Sequence, residues 1–174
     1  MVWQYWGMLE EGEKPSQEMA PEDETFIWKT YIDKENGYEI KYPGNWRMTV
    51  YEKPHELAQT KGAVRWFPPW VPQGEIKLVI EINVIKNLEE YSIPMMFVGL
   101  GKDIACENVE INGLTFCKLI KKSEKSNVAD ILIYAVSKDN EVYSIGIYNW
   151  LPESEVQTEF EIFNEMVSTF RFIE

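Results

Sequence analysis

Nine residues, Tyr38-Glu39-Ile40-Lys41-Tyr42-Pro43-Gly44-Asn45-Trp46, constrain the fold of this chain more than any other stretch. Tyr38, Ile40 and Tyr42 fall on one side of an extended chain, and Glu39 and Lys41 on the other, the two-residue period of a half-buried strand. Proline has no amide donor and glycine permits a tight turn, so Pro43-Gly44 is expected to end the ladder. Trp46 then returns a large apolar surface just after the turn, as a lid over a core. The run describes an architecture and names no reaction.

The flanking sequence extends the pattern. Residues 28–32 read as a first strand, joined to the run by a turn at Asp33-Lys34-Glu35-Asn36-Gly37. That turn shares some spacing with a calcium loop. Glu35 stands where Asp or Asn is usual, the glycine comes early and no acid closes the loop, so it is read as a hairpin turn. Residues 47–51 form a further strand. In 76–85, Ile76, Leu78, Ile80, Ile82 and Val84 share one face, and Lys77, Glu81 and Asn83 share the other. Residues 129–137 and 142–150 form a meander joined at Lys138-Asp139-Asn140-Glu141. Asn87 and Glu90 have capping-box spacing for a helix starting at Leu88, which Pro94 must interrupt. Pro152, with Glu153 and Glu155 near the positive end of a helix dipole, opens a last helix. Its stripe is Val156, Phe160, Phe163 and Val167, with Ile162 and Met166 alongside, while Glu159, Glu161 and Glu165 face water. Residues 168–173 turn into a final short strand. The fold class is α+β.

Composition bounds the function. In 174 residues, 45% apolar and 14% aromatic content fills the core of one domain. A net charge of −12 excludes a nucleic-acid partner, because phosphate binding needs a basic face. The charge is uneven: residues 9–26 carry Glu10, Glu11, Glu13, Glu18, Glu22, Asp23 and Glu24 against Lys14 alone. With Pro15 and Pro21 and no apolar period, 9–26 is expected to be an acidic flexible stalk. Before it, residues 1–8 crowd Trp3, Tyr5 and Trp6 together. Such rings concentrate at membrane interfaces, whereas a spanning helix needs about 20 apolar residues. Residues 1–8 are therefore expected to be the end of a truncated membrane anchor, and 27–174 the globular domain. The alternative is that these rings dock on the domain. No signal peptide, lipidation site or transmembrane helix is present in the chain as given.

Cys106 and Cys117 flank Asn112-Gly113, a strong two-residue hairpin signal. A two-residue loop would pair Ile111 with Leu114 and set Cys117 opposite Asn108, leaving Cys106 diagonal. A four-residue loop would set the cysteines face to face. A disulfide between Cys106 and Cys117 and a pair of unbridged core cysteines both fit. Two thiols and one distant histidine do not make a zinc site.

Two stretches resemble the PsbP-like family. One is Trp28-Lys29-Thr30-Tyr31, with the run from Gly37 to Pro43 and Trp46. The other is Phe163-Asn164-Glu165-Met166-Val167-Ser168-Thr169-Phe170-Arg171-Phe172-Ile173. They bracket nearly the whole globular part. The resemblance implies an antiparallel sheet of about six strands flanked by helices. It also implies kinship with bacterial membrane-tethered surface proteins of unassigned role. It does not imply photosystem binding, because no residue here matches a functional signature of that subunit.

Enzymatic motifs are sparse. There is no phosphate-binding Gly loop, no Gly-x-Ser-x-Gly elbow and no His-Glu-x-x-His helix. His55 sits in a polar loop without a local catalytic partner, and the carboxylate pairs read as solvated helix charges. No catalytic residue, metal ligand or cofactor is expected. The best binding candidates are Trp66, Phe67 and Trp70. Pro68, Pro69 and Pro72 bar a central strand there, so the rings are expected on an edge or loop, facing a protein, peptide or glycan. The alternative is that they fold back onto the sheet. The expected function is a noncatalytic extracytoplasmic binding or scaffold domain, tethered to a membrane by the missing N-terminal anchor. A hydrolase or other enzyme with a dispersed acidic site, and a small-ligand carrier with an apolar pocket, are the alternatives.

Overall fold

The computed structural model describes residues 27–51, 60–86, 106–122 and 130–174. Among them are ten strands and one α-helix. The strands are β1 (Trp28–Asp33), β2 (Tyr38–Pro43), β3 (Arg47–Tyr51), β4 (Thr60–Phe67), β5 (Leu78–Lys86), β6 (Glu107–Ile111), β7 (Leu114–Lys121), β8 (Asp130–Lys138), β9 (Glu141–Asn149) and β10 (Arg171–Phe172). A 3-10 turn, Glu153–Glu155, precedes helix α1, Gln157–Thr169. The strands form two antiparallel sheets, ordered β1-β2-β10 and β3-β4-β5-β9-β8-β7-β6. The α+β class and the antiparallel pairing hold, but in place of one sheet of about six strands there are two, of three and seven strands. The flanking by several helices does not extend beyond α1 among the described residues, and the helix expected from Leu88 lies outside them, as does His55.

The small sheet and α1 together cover one face of the large sheet. Tyr38 and Ile40 of β2 are buried, as their alternation requires, and Trp46 closes over the same core at 5% exposure. Pro43 is still within the ladder, opposite Trp28, because its missing donor falls at the last position. The Gly44 amide adds one more bond, to Ile27 O at 2.8 Å. On the large sheet the inward residues are Val64 and Trp66 of β4, Leu78, Ile80, Ile82 and Val84 of β5, and Tyr143, Ile145 and Ile147 of β9. β5 is buried on its other face too, at Val79 and Glu81, because it lies in the middle of the sheet. Ile76 precedes the strand and is exposed.

The last helix begins later than expected. Pro152 leads into the 3-10 turn and α1 starts at Gln157, so Glu159 is the acid in its first turn. Its inward stripe is Ile162, Phe163, Met166 and Val167. Phe170 ends the helix in an extended conformation and is fully buried. β10 then pairs Arg171 with Glu39 and Phe172 with Tyr38, which ties the C-terminus to the opening run.

The hairpin at Asn112-Gly113 takes the two-residue loop: Ile111 faces Leu114 and Asn108 faces Cys117. Both turn residues have positive φ, 52° and 74°, as this tight turn demands. Cys106, just before β6, nevertheless reaches Cys117 diagonally and forms the disulfide, with a Cα–Cα distance of 5.3 Å.

Two outcomes test this arrangement. A Cβ at position 44 would lie 2.6 Å from Ile27 O, so Gly44→Ala should detach the start of β1 and lower stability by about 1–3 kcal/mol in urea denaturation. The bridge closes a short loop, with a sequence separation of 11, so Cys106→Ser/Cys117→Ser should cost about 2–3 kcal/mol, and dithiothreitol should lower the midpoint of the wild type but not of the variant.

Candidate functional site

On the outer face of the large sheet, away from α1, the pairing aligns residues from three strands. Arg65 lies opposite Glu81, Val79 opposite Tyr148, and Glu81 opposite Gly146. Arg65, Val79, Glu81 and Tyr148, with Phe67, Ile76 and Trp150, line a groove of about 200 Å³. Phe67 and Val79 are buried and form its apolar floor together with Tyr148. Ile76 at 55% and Trp150 at 37% exposure form an open rim. The Trp150 amide bonds to Lys77 O at 3.0 Å, which holds the two rim segments side by side.

The polar end is a fixed charge pair. Arg65 Nε donates to Glu81 Oε2, and Asn83 Nδ2 donates to the other carboxylate oxygen. The guanidinium also lies 4.9 Å above the Tyr51 ring. Burial opposes the Arg65 charge, but the hydrogen bond and charge of Glu81 outweigh it and hold the group protonated above its ordinary range. The glycine in the next strand matters here. A Cβ at 146 would stand 3.1 Å from Tyr148 Cε2, so Gly146 makes room for the Tyr148 ring to lie flat over the sheet. Burial, and then the Glu81 charge against that of Arg65, push the Tyr148 phenol up to about 12. It therefore stays a hydrogen-bond donor at every physiological pH.

The three aromatic residues singled out in the sequence separate. Trp66 is in β4, between β3 and β5, and is fully buried. That corrects its expected place on an edge or loop: the strand runs to Phe67 and stops just before Pro68, so the prolines never enter the ladder. The Trp66 ring packs edge-on to Tyr31 at 6.0 Å, and its N–H has no hydrogen-bond partner among the described residues. Phe67 points to the opposite face, floors the groove and carries Arg47 4.8 Å over its ring. Trp70 lies in the turn beyond, 42% exposed, with its indole N–H donating to Glu159 Oε1 on α1 at 2.6 Å. Tyr148, Trp150 and the Arg65–Glu81 pair were missed in the sequence. Their grouping depends on β9 lying beside β5, a neighbour relation that strand periodicity does not contain.

Among the described residues no three His, Cys, Asp or Glu side chains gather as a metal-ligand set, and no helix is long and apolar enough to cross a membrane.

The buried phenols make stability depend on alkaline pH. Burial, then the Asp33 charge, raise Tyr31 to about 12, and burial raises Tyr148 equally. Unfolded tyrosines ionise near pH 10, so above that point the unfolded chain sheds protons that the folded chain keeps. Stability should be at its full value below about pH 10 and fall as the pH rises towards 12. Urea midpoints across that window should drop, and Tyr148→Phe should flatten the slope; a midpoint independent of pH would contradict the assignment.

No protein-family model matches the chain, and no curated protein matches it in sequence. Solved structures do. The solution structure of cyanobacterial PsbP from Synechocystis is similar at a TM-score of 0.55 and 11% identity, covering 91% of this chain and 99% of that one. A crystal structure from Bacteroides thetaiotaomicron is similar at 0.55 and 14% identity, over 84% of this chain but 48% of that one, so this chain spans about half its length. The Ran-binding protein Mog1p of Saccharomyces cerevisiae follows at 0.50 and 8% identity, over 86% and 97%. At such identities the likeness carries architecture and no activity. The two layers, the antiparallel sheets and the C-terminal helix that returns to β2 are those of the PsbP-like fold.

Proposed function

We propose that this chain is a noncatalytic extracytoplasmic binding domain whose outer-face groove receives an apolar or aromatic side chain from a peptide or protein partner. The observation that carries the reading is the open rim of Ile76 and Trp150 over a floor of Phe67 and Tyr148, beside a fixed charge pair. Trp, Tyr and Arg are the residues that dominate binding energy at protein interfaces, and here all three meet at one groove. Trp70, exposed in the β4–β5 connection, is held to Glu159 of α1 and lies outside this groove.

Two competing readings are less well supported. In an enzyme with a dispersed acidic site a carboxylate must exchange protons, but Glu81 is fully engaged by Arg65 and Asn83. A small-ligand carrier encloses its cargo in a pocket of roughly 300–1,000 Å³. The groove is smaller than that and open, at about 200 Å³. The extracytoplasmic, membrane-tethered part of the proposal is supported by the Cys106–Cys117 disulfide, which persists in oxidising compartments, and by the aromatic and acidic residues of 1–26.

Selection from a random peptide library against the whole chain tests the binding reading. Recovered peptides should be rich in aromatic and branched aliphatic residues, and Trp150→Ala should weaken the best of them by about 30-fold, roughly 2 kcal/mol. Both rim residues are substantially exposed, so the variants should fold. Peptides that bind Trp150→Ala and Ile76→Ser as tightly as wild type would overturn the assignment of this groove.

A further inference from the structure

We propose that a second groove, between the C-terminal end of β7 and α1, is a docking site for acidic peptide, and that its occupant is this chain's own residues 9–26. Strand alternation sends Lys118 and Ile120 of β7 to the same side, where Lys122 just past the strand, Leu132 and Tyr134 of β8 and Phe160 of α1 complete a groove of about 200 Å³. Its floor is open: Ile120 is 49% exposed. Its walls are cationic, for residues 118–122 hold three lysines and no acid, the densest basic run in a chain of net charge −12.

The lysines are available for exchange. Lys118 stands 3.8 Å from Glu107, whose side chain is 69% exposed, and Lys122 pairs with Glu153 with both side chains more than half exposed. The Lys122–Glu153 pair is of the exposed kind that contributes little to stability, and the half-buried Lys118 holds Glu107 only at a long 3.8 Å, so an incoming carboxylate displaces both at small cost. Lys121 lines the same groove. Its acidic members are Glu153, which pairs with Lys122, and Asp130, one step beyond the Lys121↔Ile131 pair, so its lining carries three lysines against two acids.

Residues 9–26 offer the complement, seven acids against one base. Topology brings them within reach. The pairs Arg47↔Phe67, Leu78↔Asn149, Asp130↔Asn149 and Lys121↔Ile131 place the start of β3 and the end of β7 at the same end of the large sheet. The Gly44–Ile27 hydrogen bond sets Ile27 beside the turn that enters β3. From β3 to β7 is five strand spacings, about 24 Å. An extended segment of the length of 9–26 spans up to about 60 Å, so it crosses that distance with slack. Covalent attachment holds its carboxylates at an effective concentration on the order of millimolar, where weak individual contacts are enough for docking.

Zero-length carbodiimide cross-linking of the whole chain, read by peptide mass spectrometry, tests this. At low salt the acids of 9–26 should link mainly to Lys118, Lys121 and Lys122 within one molecule. The links should fall severalfold at about 1 M salt, where the Debye length is about 3 Å. Lys121→Glu/Lys122→Glu should reduce them similarly, and Lys77→Glu should leave them unchanged. The salt comparison needs no variant, so a folding defect cannot mask the result. Links spread evenly over surface lysines, links that persist at high salt, or links confined to cross-linked dimers would each overturn the proposal.

Discussion

An unbroken seam of aromatic rings joins the two layers, and the rest of the structure depends on it. It runs from Tyr42 to Trp66, Tyr31 and Tyr38, then through Phe170 and Phe116 to Tyr134 and Phe163, with successive ring centroids 5.7 to 6.3 Å apart. Tilted and edge-on contacts at this spacing contribute about 0.5–1.5 kcal/mol each beyond the area they bury. Every layer supplies members: the small sheet, the large sheet, α1 and the residue that ends it. Phe170 is the junction, because it touches Tyr38, Phe116, Tyr143 and Phe172. The extended conformation at this residue both stops the helix and delivers β10 to β2.

Because the seam claims one face of the large sheet, alternation sends the neighbouring residues to the other. Trp66 and Phe67 show the consequence. Adjacent in sequence, one is locked inside the seam and the other floors a surface groove. Trp66, Phe67 and Trp70 are therefore legible in the sequence as an aromatic cluster but not as separate fates. Only the strand boundary, one residue before Pro68, decides which ring goes in. The same logic governs β5. Its alternation was visible from Leu78 to Val84, yet the burial of Val79 and Glu81 depends on β4 and β9 lying to either side.

Turns are legible in a sequence where one residue type answers one backbone need. Asn112-Gly113 adopts the two-residue loop because both positions require positive φ. The disulfide across it is not decided by the sequence. In that register Cys106 lies outside the strand and diagonal to Cys117, so whether the sulfurs meet depends on how the chain enters β6. The start of α1 differs from the sequence expectation for a related reason. Pro152 and Glu153 suit a first helical turn, but the buried Val156 interrupts the α-helical geometry, and the turn before it closes as a 3-10 helix.

The sequence by itself determined the α+β class, the pairing of β1 with β2, the meander of β8 and β9, the inward stripe of α1 and the acidic character of 9–26. Each depends on local periodicity or composition, which contacts between distant residues do not alter. The tertiary structure alone decided the insertion of β9 beside β5, the union of Arg65, Glu81, Tyr148 and Trp150 in one groove, and the placing of Ile27 beside the turn that enters β3. Those are relations between strands separated by tens of residues. They follow from which sheet order buries the aromatic seam, and no window of sequence contains that information.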